Sequence, residues 1–212
     1  MWRMEDILAL YEQPYDACCP LVCFDERPYQ LIGEVISPLP MRPGKPQRDD
    51  YTYKRNGTCN LFMCFQPHAG WRHVMVTSRR TKHDYASCMK MLADEYFPHV
   101  EVIRLVQDNL NTHTPAALYE VFPPQEARRL VKKFEFHYTP KHASWLNMAE
   151  IEFSVVSKQC LDRRIPNIES VKQEGAIWER ERNAKKVTVD WEFTSQHARI
   201  KLERLYPSTD QN

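Results

Sequence analysis

Acidic residues follow two apolar segments of this 212-residue chain, at the points where strands are predicted to end. Asp25 follows the apolar segment 21–24, and Asp108 follows the β-branched segment 100–106. In open α/β sheets functional groups gather outside the carboxyl ends of the strands, so acids on neighbouring strands can lie side by side. Each acid alone is equally explained as an ordinary turn or helix-cap residue. Their chemistry depends on whether they meet.

A third acid is available on the helix that follows the last predicted strand. Glu150 and Glu152 are two residues apart there and point about 200° away from one another, so at most one can face the strand ends. Three clustered carboxylates repel one another unless a divalent cation joins them. Ligation by oxygen alone suits magnesium or manganese. The pattern therefore predicts a carboxylate metal site.

Other polar residues admit simpler interpretations. His137 and His142 could be zinc ligands, but Pro140 interrupts the segment and no cysteine or third histidine completes the set. His113 is also explained as a polar turn residue. The basic segment 42–55 is by default a solvated loop.

Composition excludes several classes of protein. Lys and Arg total 29 against 28 Asp and Glu, so the net charge of +1 indicates no general affinity for nucleic acid or membranes. The seven cysteines have no paired CxxC spacing, which is typical of reduced thiols in a cytosolic protein. No stretch reaches 18 apolar residues and the first residues lack the apolar core of a signal peptide, so we expect an intracellular protein.

The order of predicted elements defines the fold class as α/β. After a short helix come three strands, a helix, a strand, a helix, a strand and a long helix over 142–165, which predicts a mixed five-stranded sheet flanked by helices. Residues 37–57, rich in proline and basic residues, are expected to form a long loop. We divide the chain into a linker-like N-terminal helix (1–20), a catalytic core (21–165) and a C-terminal helical extension (166–212).

Several motifs together resemble a known family. They are "LVCFDERPYQLIGE", "PGKPQRDDYTYKRNGTCNLF", "VTSRRTKHDYASCMKML", "LVQDNLNTHTPAALYEVFPPQEARRL", "FEFHYTPKHASWLNMAEIEFSVVSKQCLDRRI" and "RIKLERLYP". These are similar to the catalytic domain of bacterial insertion-sequence transposases in the mariner-related superfamily with a DDE acid triad. The resemblance implies an RNase H-like, integrase-like fold in which the triad binds two Mg²⁺ or Mn²⁺ ions when DNA is bound.

The resemblance also assigns roles to residues. The Asp of "FDE" is Asp25, the Asp of "DNLNTH" is Asp108, and the Leu-Asn-x-x-Glu pattern selects Glu150 as the third catalytic and metal-binding acid. The resemblance implies that the remaining polar residues of these motifs support the site, and basic residues elsewhere are candidate phosphate contacts. The supporting residues are Asn109, Asn111, His113 and His142, and the candidate DNA contacts are Arg42, Lys45, Arg48, Lys54, Arg55, Arg79 and Arg80.

The family implies partners and leaves alternatives open. The expected partner is double-stranded DNA, both element ends and target, bound by a homodimer in the bacterial cytoplasm and associated with the nucleoid. Full-length relatives carry helix-turn-helix regions ahead of the segment matched here, so we expect a fragment. Ala143 stands where the family commonly has glycine. The alternatives are an inert remnant that binds DNA or dimerises, and an RNase H-like host nuclease.

Overall fold

Strands and helices follow one another in the predicted order. The computed structural model of the chain describes residues 1–37, 39–46, 48 and 50–206. The strands are β1 (Leu21–Glu34), β2 (Tyr53–Gln66), β3 (Trp71–Thr77), β4 (Ile103–Gln107) and β5 (Phe134–Tyr138). The α-helices are α1 (Trp2–Tyr11), α2 (Lys82–Met91), α3 (Pro115–Val121), α4 (Pro124–Lys133), α5 (Ala149–Gln159), α6 (Ile168–Ala184) and α7 (Ser195–Lys201).

The five strands form one mixed sheet in the order β3-β2-β1-β4-β5. β1, β2 and β3 pair as antiparallel neighbours, whereas β4 is parallel to β1 and β5 is parallel to β4. The parallel strands are joined through helices, as such connections require. The predicted mixed five-stranded sheet flanked by helices is confirmed.

Hydrophobic residues are buried on both faces of the sheet. Because successive side chains of a strand point to opposite faces, Val22 and Phe24 pack in one core with α2, α3 and α4. Cys23 packs in the second core, which also contains Ile7 of α1, Phe153 of α5 and residues of α6 and α7. The first helix and the C-terminal helices therefore share a core with the segment 21–165. The division into three segments remains a prediction.

β1 is longer than the sequence indicated. Asp25 was expected to follow the end of the strand, but β1 continues to Glu34 because antiparallel pairing with β2 extends to the pair Glu34–Tyr53. Its parallel pairing with β4 covers only 21–23. Asp25 therefore lies inside a strand, just past the point where its parallel neighbour stops pairing. The predicted loop 37–57 is shorter for the same reason, since β2 begins at Tyr53.

The long helix predicted over 142–165 is also shorter. α5 begins only at Ala149, because His142 is left-handed with φ of 69° and Asn147, which ends the 3-10 turn Ser144–Leu146, is extended with φ of −86° and ψ of 109°. Residues 207–212 of the predicted C-terminal extension lie outside the described residues. No helix in the described part of the chain is both long and apolar enough to cross a membrane.

Candidate active site

Asp25 and Asp108 lie at the same level of two neighbouring parallel strands. Cys23 of β1 is paired with Val106 of β4, and each acid lies two residues further along its own strand. Asp25 is 9% exposed, and the side chain of Asp108 is 32% exposed. The two carboxylates predicted from strand ends are therefore brought to one edge of the sheet.

Glu150 reaches the same region through an anchored turn. Asn147 donates a hydrogen bond from its side-chain amide to the main-chain carbonyl of Phe24 at 2.8 Å, and its side-chain oxygen accepts one from the Ala149 amide at 3.2 Å. The hydroxyl of Tyr11 donates to the Leu146 carbonyl at 2.6 Å. The first turn of α5 is thus attached to the strand residue that precedes Asp25.

The structure separates the roles of the two glutamates on α5. Glu152 is fully buried on the side of the helix that faces β3 and α6, where it forms ion pairs with Arg72 and Arg182. Glu150 lies on the opposite side, and its negative charge acts on the Asp25 carboxyl. Of the two acids left open by the helical spacing, Glu150 is the one that faces the strand ends.

The pKa of Asp25 is raised by its burial and by the neighbouring acids. Burial raises the pKa of the Asp25 carboxyl, and the charges of Glu150 and Asp108 raise it further, to about 7. The Glu26 amide, which donates to Asp25 Oδ1 at 2.8 Å, acts in the opposite direction. Such a set of carboxylates binds a hard divalent cation readily because the cation offsets their mutual repulsion.

The three acids do not form a complete set of metal ligands by themselves. Among the described residues, no three His, Cys, Asp or Glu side chains converge as they would around a bound ion. One Asp108 oxygen is engaged instead by His113 Nδ1. The donor chemistry fits magnesium or manganese, and part of the coordination shell would have to come from outside the protein.

His113 connects Asp108 to a second carboxylate that the sequence analysis did not single out. Its Nε2 lies 3.2 Å from Glu26 Oε2, and the Glu26 side chain is only 4% exposed. Burial lowers the pKa of His113, but hydrogen bonds to Asp108 and Glu26 raise it more, to about 9. The imidazolium is enclosed by Tyr85, stacked at 5.0 Å, and Phe24, edge-on at 5.1 Å. The position of Glu26 beside Asp25 was the only sequence signal for this role.

Two of the other three predicted supporting residues lie beside Asp108. Asn109 and His142 border a cavity of about 370 Å³ beside Asp108, and Asn111 is exposed nearby in sequence. His137 is directed elsewhere, with its Nδ1 2.8 Å from Asp6 of α1. The described residues therefore give no support to a zinc site formed by His137 and His142.

The candidate DNA contacts fall into two groups. Arg79 and Arg80 follow β3 close to the acids, and Arg80 lies 3.5 Å from Glu26. Arg55 is paired with Ile32, which along β1 is roughly 20 Å from Asp25. Lys54 lies beside it, and the loop joining β1 to β2 carries the rest of this second group, Arg42, Lys45 and Arg48. All seven side chains are exposed.

Ala143 fits its position without strain. Its φ of −129° is accessible to any residue, and the left-handed conformation in this turn falls on His142 instead. The substitution of alanine for the family's glycine therefore does not displace α5 by a backbone conflict.

This sheet order, with one acid inside β1, a second just after β4 and a third on the helix that follows β5, defines the RNase H-like class of nucleases and transposases. The chain belongs to the DDE superfamily of endonucleases, whose family model matches residues 20–172. No curated protein sequence matches the chain significantly.

Solved transposase structures share the fold. The Mos1 mariner paired end complex with Mn aligns with a TM-score of 0.57 and 15% identity over 87% of this chain and 56% of that chain. A pre-cleavage Mos1 transpososome aligns with a TM-score of 0.55 and 16% identity over 91% of this chain and 64% of that chain. The isolated Mos1 catalytic domain aligns with a TM-score of 0.54 and 13% identity over 87% of this chain and 88% of that chain. The chain thus spans little more than half of the Mos1 chain in the paired end complex, and the predicted fold and family are confirmed.

Proposed function

We propose that this chain cleaves DNA strands and transfers their 3′ ends to a target, as the catalytic part of a transposase. One observation carries the proposal. Asp25 and Asp108 lie at the same level of neighbouring parallel strands, and Glu150 begins a helix attached to the same strand through Asn147. Membership of the DDE endonuclease superfamily supports phosphodiester chemistry at this place.

Asp25, Asp108 and Glu150 would hold magnesium or manganese. When bound, two such ions supply Lewis-acid activation of a water or a DNA 3′-hydroxyl and stabilise the leaving oxygen. The buried position of Asp25 excludes water from one side of the site. His113 fixes the orientation of the Asp108 carboxylate and leaves its second oxygen free of this contact. No covalent protein intermediate is required.

Basic residues position the DNA backbone. Arg80, 3.5 Å from Glu26, and the preceding Arg79 would contact the phosphates beside the scissile bond. The more distant group on β2 and the loop before it would contact DNA further along the duplex. Such contacts orient DNA without reading its sequence.

The DNA partners are inferred from the family. Mos1 forms a paired end complex and a strand transfer complex. By analogy, we infer that this chain acts on element ends and a target duplex as a homodimer, in the cytoplasm. In isolation it should bind DNA with little sequence preference.

The test is a comparison of three substrates in manganese, magnesium and EDTA. A transposase catalytic domain should nick plasmid slowly, faster in manganese, and join a 3′-hydroxyl oligonucleotide to plasmid. Cleavage of RNA–DNA hybrids without joining would favour the host nuclease. The absence of metal-dependent cleavage on all three substrates would favour the inert remnant.

A further inference from the structure

A buried cluster of charges lies behind the catalytic helix. Glu152 of α5 accepts hydrogen bonds from Arg182 Nε at 2.7 Å and Arg182 Nη2 at 2.8 Å, and it lies 3.1 Å from Arg72 Nε. The side chains of Glu152 and Arg72 are both 0% exposed. Burying three charges is costly, and an apolar cluster of similar volume would stabilise the fold as well or better. Stability alone is therefore a weak explanation for this cluster.

Geometry offers a better explanation. Glu152 follows Glu150 by two residues, which on a helix is a rotation of about 200°. A carboxylate that accepts two hydrogen bonds from one planar guanidinium has a fixed orientation. Apolar packing is not directional and does not fix the rotation of a helix in this way. Holding Glu152 toward β3 and α6 therefore directs Glu150 toward Asp25 on the opposite side of α5.

The arginine that holds Glu152 belongs to α6, and hydrogen bonds attach α6 to β3. Asn183 of α6 accepts from the Arg72 amide and donates to the Arg72 carbonyl, both at 2.8 Å, so it attaches α6 to the edge strand β3. One turn earlier, Glu179 accepts from the Val74 amide at 2.9 Å. Arg72 Nη2 also donates to the Val187 carbonyl just past α6 at 2.6 Å. Arg182 projects from this fixed helix.

We propose that Glu152 is a positioning residue. The two hydrogen bonds from Arg182 hold its carboxylate, Arg72 neutralises it, and together they set the rotation of α5 that directs Glu150 toward the proposed metal site. The inference rests on the proposed function and deepens it. α6 lies largely beyond the family match at residues 20–172, and on this inference it is needed to position Glu150.

Arg182→Met is the informative variant, because it removes the fork while Arg72 still neutralises Glu152. Leu130→Val is the matched control, since it lowers stability by removing buried contacts in the core on the other face of the sheet, without touching Arg72, α5 or α6. For each we would measure the melting temperature, the DNA dissociation constant, the rate of plasmid nicking at saturating manganese, and manganese affinity by electron paramagnetic resonance with a 3′-hydroxyl duplex present.

Arg182→Met should lower the nicking rate and the manganese affinity by about tenfold or more, as happens when the residues that orient a metal ligand are lost. DNA affinity should be unchanged, Arg182→Lys should recover part of the loss, and Leu130→Val should stay within about twofold of wild type. In a Glu150→Gln background, Arg182→Met should have no further effect on manganese affinity, because its action passes through Glu150.

Two results would overturn the inference alone. One is equal loss of activity in Arg182→Met and Leu130→Val when their melting temperatures fall equally. The other is an Arg182→Met effect on manganese affinity that persists in the Glu150→Gln background. A wild-type chain that neither nicks DNA nor binds manganese would instead overturn the proposed function, and this inference with it.

Discussion

Asn147 and Phe24 are joined by a hydrogen bond of 2.8 Å from the asparagine side-chain amide to the main-chain carbonyl. The bond is buried and links residues more than a hundred positions apart. It connects the turn that starts the Glu150 helix to the strand residue next to Asp25. The asparagine of the Leu-Asn-x-x-Glu motif thus has a physical role, which is to set the distance between the first and third acids.

Replacing Asn147 should therefore affect both folding and cleavage. Asn147→Ala leaves the buried Phe24 carbonyl without its donor, which should lower the free energy of unfolding by about 1–3 kcal/mol. The nicking rate should fall by more than the loss of folded protein explains, because Glu150 is no longer fixed relative to Asp25. Urea unfolding and plasmid nicking would measure the two effects. Lys158→Ala, on the exposed face of α5, should change neither.

His113 should be needed for the geometry of Asp108. His113→Ala deprives the nearly buried Glu26 of a hydrogen-bond donor, at a cost of about 1–3 kcal/mol in the free energy of unfolding. The manganese concentration for half-maximal nicking should rise, since Asp108 loses the contact that orients it. His83→Ala, on the exposed start of α2, serves as the control. An unchanged manganese requirement in His113→Ala would contradict this role.

Asp25 should destabilise the metal-free fold at high pH. Its pKa is raised from 3.8 to about 7, so the folded chain holds a proton that the unfolded chain releases. The free energy of unfolding should therefore fall as pH rises from about 4 to about 7. Asp25→Asn avoids this cost, and in EDTA above pH 7 it should be more stable than wild type by on the order of 1–3 kcal/mol.

That difference should shrink toward pH 4, where the carboxyl of the unfolded chain also begins to take up a proton. Thermal unfolding across this pH range would measure it. Manganese with DNA should then stabilise wild type but not Asp25→Asn. A difference in the free energy of unfolding between the two proteins that stays constant with pH would contradict a raised pKa of the Asp25 carboxyl.

Restoring the family's glycine at position 143 should not improve the enzyme. Ala143 has a negative φ that suits alanine, so Ala143→Gly only adds freedom to the unfolded chain and should cost up to about 1 kcal/mol. Nicking should stay within about twofold of wild type. A tenfold gain in nicking by Ala143→Gly would mean that alanine displaces Glu150 after all.

Local patterns in the sequence predicted much of this arrangement. The apolar segments around Asp25 and Asp108 indicated two buried strands, and the order of the elements indicated a mixed five-stranded sheet. The extent of β1 was missed because it depends on pairing with β2, whose outer half is exposed and polar. The cluster of Arg72, Glu152 and Arg182 was missed because it joins three elements distant in sequence. No local pattern marks such a contact, and a glutamate within a charged helix resembles a solvated residue.

The central claim is that Asp25, Asp108 and Glu150 form one metal-dependent site for DNA cleavage. The most direct test compares plasmid nicking in manganese by wild type, Asp25→Asn, Asp108→Asn, Glu150→Gln and the control Asp162→Asn, an exposed acid beyond the far end of α5. We predict that wild type and the control nick equally, that each triad variant loses nicking by at least about a hundredfold, and that Asp108→Asn keeps its fold. Equal residual nicking in all five proteins would contradict the claim and would point to a contaminating nuclease and an inert site.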